Sequence, residues 1–293
     1  MDKNEKITNC LVSVLKAAAY FGVYFGVQVV IGIFIGLIFS IGSVASGTMP
    51  DVTTLLYKYS MEITLFANVF SILGCIGLSF LFKRGERRVD ALLDINIDFG
   101  RRWKIIVSCL LLGVVGQFSI LLILSIIPFP AEWLTLLEDN SQLILESPML
   151  IRVLSVAIVA PLAEEIIFRA CIQGSLQRGM PKWAAIVIAS LVFGVMHGTP
   201  IGIIYASVLG VLMGWLYAEF DSIVPSMLFH FTYNLTSLLI NEQIFENPVA
   251  YFIYLIVSTV LFALCIGYII CQSRAARKEK ISNIQGDNDN EAL

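Results

Sequence analysis

Apolar residues in this chain run in long, nearly unbroken stretches instead of alternating with polar ones. Stretches of twenty or so recur along nearly the whole length, each long enough to cross a hydrocarbon core about 30 Å thick. They place helices at roughly 17–41, 61–82, 105–127, 150–173, 183–198, 201–219, 223–240 and 250–271. The predicted fold is all-α, a polytopic membrane helix bundle of about eight transmembrane helices. The first run extends to Ile41, well past the ~7–15 residues of a signal-peptide core, and reads as a retained span. Little chain is left between spans, so residues 1–281 read as one membrane-embedded domain. The Asn- and Asp-rich stretch 282–293 reads as a disordered cytoplasmic tail.

Composition agrees with that reading. Hydrophobic residues make up 58% and charged residues 14% of the 293 positions, against about 25% charged in soluble domains. A net charge of −3 offers no basic surface for nucleic acid, so the expected partner is the lipid bilayer. Lysines and arginines stay on the cytoplasmic side. They gather at Lys83, Arg84, Arg87, Arg88, Arg101, Arg102 and Lys104, at Arg178 and Lys182, and at Arg274, Arg277, Lys278 and Lys280, which puts both termini in the cytoplasm. The six cysteines carry no CxxC pair and read as packing residues. Gly22 and Gly26, Gly32 and Gly36, Gly198 and Gly202, and Gly210 and Gly214 are small-xxx-small pairs, read here as packing within the bundle. They assign no oligomeric state.

The fourth predicted span contains Glu164, Glu165 and Arg169. Facing lipid at the bilayer centre, the three would cost about 7–10 kcal/mol, so they face protein or water. Glu165 and Arg169 are i and i+4 and share a helix face, where they can pair as structural, orienting residues. Glu164 points about 100° away from that face, which makes it the candidate for chemistry.

Both histidines of the chain fall in apolar spans. Phe193 and His197 are i and i+4 on the fifth, and His230 and Asn234 are i and i+4 on the seventh. At 1.5 Å per residue, Glu164 lies about 10–15 Å deep, His230 about 10 Å, Asn234 about 17 Å and His197 about 20 Å, depths that helix tilt can bring together. A carboxylate, two imidazoles and a carboxamide in a low-dielectric cavity form a hydrolase constellation. Glu164 can take a proton from water that His197 helps to hold. His230 and Asn234 can donate to the oxyanion of a tetrahedral intermediate, a role worth about 3–4 kcal/mol per donor.

Glu164-Glu165-x-x-x-Arg169, Phe193-x-x-x-His197 and His230-x-x-x-Asn234, in that order on separate helices, resemble the CPBP family. That family comprises CAAX prenyl endopeptidases of the Ras-converting type and bacterial relatives that process bacteriocins or confer immunity to them. The motif core covers residues 150–240. The resemblance implies an eight-helix intramembrane glutamic endopeptidase of the cell membrane, with its cavity toward the cytoplasm and a membrane-associated peptide or protein as substrate. By carry-over, Glu164 is the base, His197 holds the water, His230 and Asn234 form the oxyanion site, and Glu165, Arg169 and Phe193 support them. The compact loops point to a bacterial plasma membrane.

Zinc is the mechanistic fork, because Glu164, His197 and His230 could supply three ligands. The chain has no HExxH helix and Asn234 is a poor zinc ligand, so catalysis without a cofactor is the favoured reading. A non-proteolytic scaffold on the same fold, for bacteriocin immunity or regulation, is the main rival. A proton relay or transporter would need a second polar belt in the other spans, and the first three offer little beyond Lys16, Glu62, Asn68 and Gln117.

Overall fold

The computed structural model describes residues 2–45, 52–82, 99–240 and 247–291, and every regular element among them is a helix. In chain order these are α1 (Lys3–Ala45), α2 (Val52–Lys58), α3 (Ser60–Leu81), α4 (Phe99–Ser125) and α5 (Ala131–Glu146). They continue as α6 (Met149–Leu176), α7 (Lys182–Val195), α8 (Pro200–Phe220), α9 (Val224–Leu239) and α10 (Pro248–Glu291). The fold is an all-α membrane helix bundle. The basic residues Lys83, Arg84, Arg87 and Arg88 lie outside the described residues.

Proline marks where many of these helices begin. Pro130, Pro148 and Pro181 stand just before α5, α6 and α7, Pro200 and Pro248 open α8 and α10, and Pro225 sits in the first turn of α9. The ring fixes φ near its helical value, and its missing N–H is one the first turn leaves unbonded anyway. The turn into α8 passes through Gly198, whose φ of +72° favours glycine.

All eight predicted spans are helices, but they are not equally long. Among the described residues α1, α3, α4, α8 and α10 are long and apolar enough to cross a membrane, which gives five, or six if α5 and α6 count as one span bent by 118°. α7 has 14 residues and α9 has 16, about 21 and 24 Å of helix at 1.5 Å per residue, short of the hydrocarbon thickness. α6 is long enough, but Glu164, Glu165 and Arg169 interrupt its apolar character. Helix α10 continues to Glu291, through much of the stretch that composition assigns to a tail.

The described chain sorts into two compact units where hydropathy suggests one domain. Sequence neighbours need not be packing partners, and α4 packs mainly with α9 and α10. The first unit holds α1 to α3, α5 to α7 and α8 as far as Trp215, and the second holds α4, the end of α8, α9 and α10. In the first, α1 and α3 lie together, joined by a hydrogen bond from Gln28 Nε2 to Asn68 Oδ1 (3.2 Å). In the second, Gly113 lets α4 approach the Phe229 carbonyl and Thr232 of α9, and Tyr251 of α10 donates to the Leu122 carbonyl at 2.9 Å.

The small-xxx-small pairs divide likewise. A side chain at Gly210 or Gly214 would collide with α6 or α7, so this pair is buried in helix packing as predicted. Nothing lies within 4 Å of where a Cβ would stand at Gly22, Gly26 or Gly32, and Gly36 meets only Leu56 at 3.8 Å. Among the described residues, then, no neighbour packs closely on the α1 pairs. The small-residue spacing lets a neighbour approach but does not supply one.

Candidate active site

Helix α6 departs from regular α geometry on both sides of its charged cluster. Val153–Val159 and Glu165–Gln173 are π-helical, with an α-helical segment, Ala160–Glu164, between them. Pro161 stands in this interior, where it cannot donate a backbone hydrogen bond and its ring crowds the preceding turn. Widened turns relieve that crowding, and π turns occur often at functional sites. Seven of the nine residues of the second π segment are buried.

Glu165 and Arg169 are both 0% exposed and pair as the i,i+4 spacing predicts, with Arg169 Nε 3.4 Å from Glu165 Oε2. Glu164, at the end of the α segment, is only partly buried. Within electrostatic reach of it lie Arg169 and two tyrosines that sequence reasoning missed, Tyr24 of α1 and Tyr205 of α8.

Aromatic rings connect this cluster to His197. The Tyr24 and Phe168 ring centroids lie 5.4 Å apart, Phe168 and Phe193 5.3 Å, Phe193 and His197 4.8 Å, and His197 and Tyr205 6.1 Å, each pair edge to face. The Arg169 guanidinium carbon sits 5.0 Å from the Phe193 centroid, a cation–π contact. Phe193 is thus the hinge of the first unit's site, touching Arg169 on one side and His197 on the other.

His197 itself stands in the turn just after α7, and not within a span as hydropathy suggests. Its Nδ1 lies 3.1 Å from the Phe193 carbonyl oxygen. A carbonyl can only accept, so Nδ1 carries the proton and donates it there. In the neutral ring this leaves the lone pair on Nε2, the nitrogen that can receive a hydrogen bond from water or bind a metal.

The structure brings Glu164, Glu165, Arg169, Phe193 and His197 together in the first unit. His230 and Asn234 belong to α9 in the second, one turn apart as predicted, with His230 5% exposed. Beside them Thr232 donates to the Leu228 carbonyl at 2.9 Å. Within either unit taken alone, no three described His, Cys, Asp or Glu residues group as a metal site. The first unit offers two zinc-type donors, the Glu164 carboxylate and His197 Nε2, whose Nδ1 contact is the orientation a metal-bound imidazole also uses.

A buried carboxylate–guanidinium pair, an adjacent carboxylate and an oriented imidazole are thus set among apolar helices of the first unit. Residues 146–236 match the family model described as Type II CAAX prenyl endopeptidase Rce1-like. Over this segment the chain is similar to Rce1-like domains of the CAAX protease kind, in the CPBP family, and with its long apolar helices it is an integral membrane protein. The match covers α6, α7, α8 and most of α9, and so includes every residue of the three motifs. No curated protein and no solved structure matches the chain.

Proposed function

We propose that this protein hydrolyses a peptide bond of a membrane-associated protein or peptide with water activated by Glu164, without a metal. Water attacks the carbonyl carbon as Glu164 takes its proton, while His197 Nε2 accepts a hydrogen bond from the same water. His230 and Asn234 donate to the oxyanion. When the C–N bond breaks, the proton held by Glu164 passes to the leaving nitrogen, giving a carboxylic acid and an amine, and transfer of the acid proton to the amine leaves a carboxylate and an ammonium.

The observation that carries this reading is the His197 Nδ1 contact with the Phe193 carbonyl, which leaves the other ring nitrogen as an acceptor in the unit that holds Glu164. A water-holding histidine needs that tautomer. Zinc would use the same nitrogen together with Glu164 and His230, acting as a Lewis acid. The pairing of His230 with Asn234, a donor of hydrogen bonds and a poor zinc ligand, favours the metal-free course. The basic loops favour cytoplasmic termini, the family resemblance implies a cavity open to the cytoplasm, and the compact loops point to a bacterial plasma membrane. The substrate class named by the matched family, a prenylated protein ending in CAAX, is the first to test.

The test compares peptide termini in cells expressing the intact chain and Glu164→Gln at matched membrane levels, with and without a chelator. Termini that need Glu164 and survive chelation are the expected result. Their loss under chelation would transfer the mechanism to zinc. If both proteins give the same termini while bacteriocin resistance survives the substitution, the chain is a binding scaffold.

A further inference from the structure

The second π segment carries a third buried polar residue besides Glu165 and Arg169. Gln173 lies one turn beyond Arg169, is 0% exposed, and is absent from all three motifs. Its Nε2 donates to the Gly214 carbonyl of α8 at 2.8 Å. Its Oε1, buried and without another hydrogen-bond partner, lies 2.7 Å from where a Cβ on Gly214 would stand. That direction is occupied by a Cα–H of glycine, so the amide meets Gly214 twice, through an N–H···O bond and a Cα–H···O contact. An alanine at 214 would also press on Ile186 Cγ2 at 3.1 Å. The clasp requires both a glutamine and a glycine.

A second tether holds the other end of α6. Ser155 Oγ donates to the Met61 carbonyl of α3 at 3.2 Å. Glu164 sits nine residues from each tether. Apolar contacts between membrane helices have little directionality, so a helix held by them alone can turn about its axis. A side-chain bond to a neighbour's backbone fixes that rotation, and with it the direction in which Glu164 points.

We propose that Gln173 is a positioning residue for the hydrolysis: its clasp on Gly214 sets the rotation of α6 and so aims Glu164 and the Glu165–Arg169 pair. This rests on the function proposed above. Gln173 touches no reacting atom in this scheme. Its effect falls on the chemical step, since a displacement of about 1 Å can slow catalysis a hundredfold.

The experiment uses the full chain in native membranes. Gln173→Met keeps length and bulk but has no donor, Gly214→Ala blocks the clasp from the α8 side, and the double variant combines them. The rate of formation of each terminus that depends on Glu164 is followed at low and at saturating substrate expression, per folded protein measured by size-exclusion fluorescence. We expect Gln173→Met to fall about ten- to a hundredfold at both substrate levels, a loss of turnover and not of binding. Gly214→Ala should behave alike, and the double variant should be no slower than the slower single, because both break one clasp. A wild-type rate for Gln173→Met overturns the proposal, as does a loss that only tracks unfolded protein or is confined to low substrate. If no terminus depends on Glu164, the proposed function itself fails, and the positioning role fails with it.

Discussion

Helices α1 and α8 both carry glycines spaced four apart, and the two stripes behave in opposite ways. On α8, Gly210 and Gly214 are closed over by Ser190, Phe193, Ile186 and Gln173. On α1, Gly22 and Gly26 lie in an apolar trough of about 790 Å³ between α1 and α3, lined also by Phe34, Phe66, Phe70 and Gly74. Through Gly214 the α8 stripe meets the buried amide of Gln173 on α6, whose burial needs short, directional contacts. The α1 stripe meets only hydrocarbon side chains, which gain little over lipid by close packing. Small residues permit an approach, and polar partners make it worth making.

Three variants test this contrast, beginning with the charges that the tight side encloses. Arg169→Ala leaves the Glu165 carboxylate buried without its guanidinium, and we expect a loss of about 3–5 kcal/mol in unfolding free energy, read by denaturation in detergent. Gly210→Ala places a methyl 2.9 Å from Ser190 Cβ and 3.3 Å from Phe193 Cδ1. Overpacking of that kind should cost about 1–3 kcal/mol and shift Phe193 against His197, lowering turnover in the same preparation. Gly22→Ala with Gly26→Ala meets open space, so stability should stay within about 0.5 kcal/mol of wild type and activity should hold. A large loss from this last pair would mean that the trough has an occupant.

Hydropathy made the eight helical stretches legible because the membrane demands long apolar runs. It does not by itself give helix length: α7 is apolar yet short, and α9 has only 16 residues. It also passed over α5, whose sequence mixes Glu132, Glu138, Asp139 and Glu146 with leucines. The Glu165–Arg169 pair was legible because i,i+4 neighbours meet on any helix face. The π segments were not, because a widened turn leaves hydropathy unchanged, and Pro161 was the one visible hint. Tyr24 and Tyr205 come from distant segments, so no local spacing announces them. Gln173 did have a signal, as the third rung of a polar ladder at positions 165, 169 and 173.

Helix α1 has 43 residues, about 65 Å of rise beside a hydrocarbon slab of about 30 Å. Tyr24, which meets Phe168 of α6, is its middle residue. Bilayers of different thickness are met by changes of tilt, and a rod tilting about its midpoint moves most at its ends. The fulcrum of this lever falls at the contact with α6, so the membrane can thicken or thin with least displacement where the two helices meet.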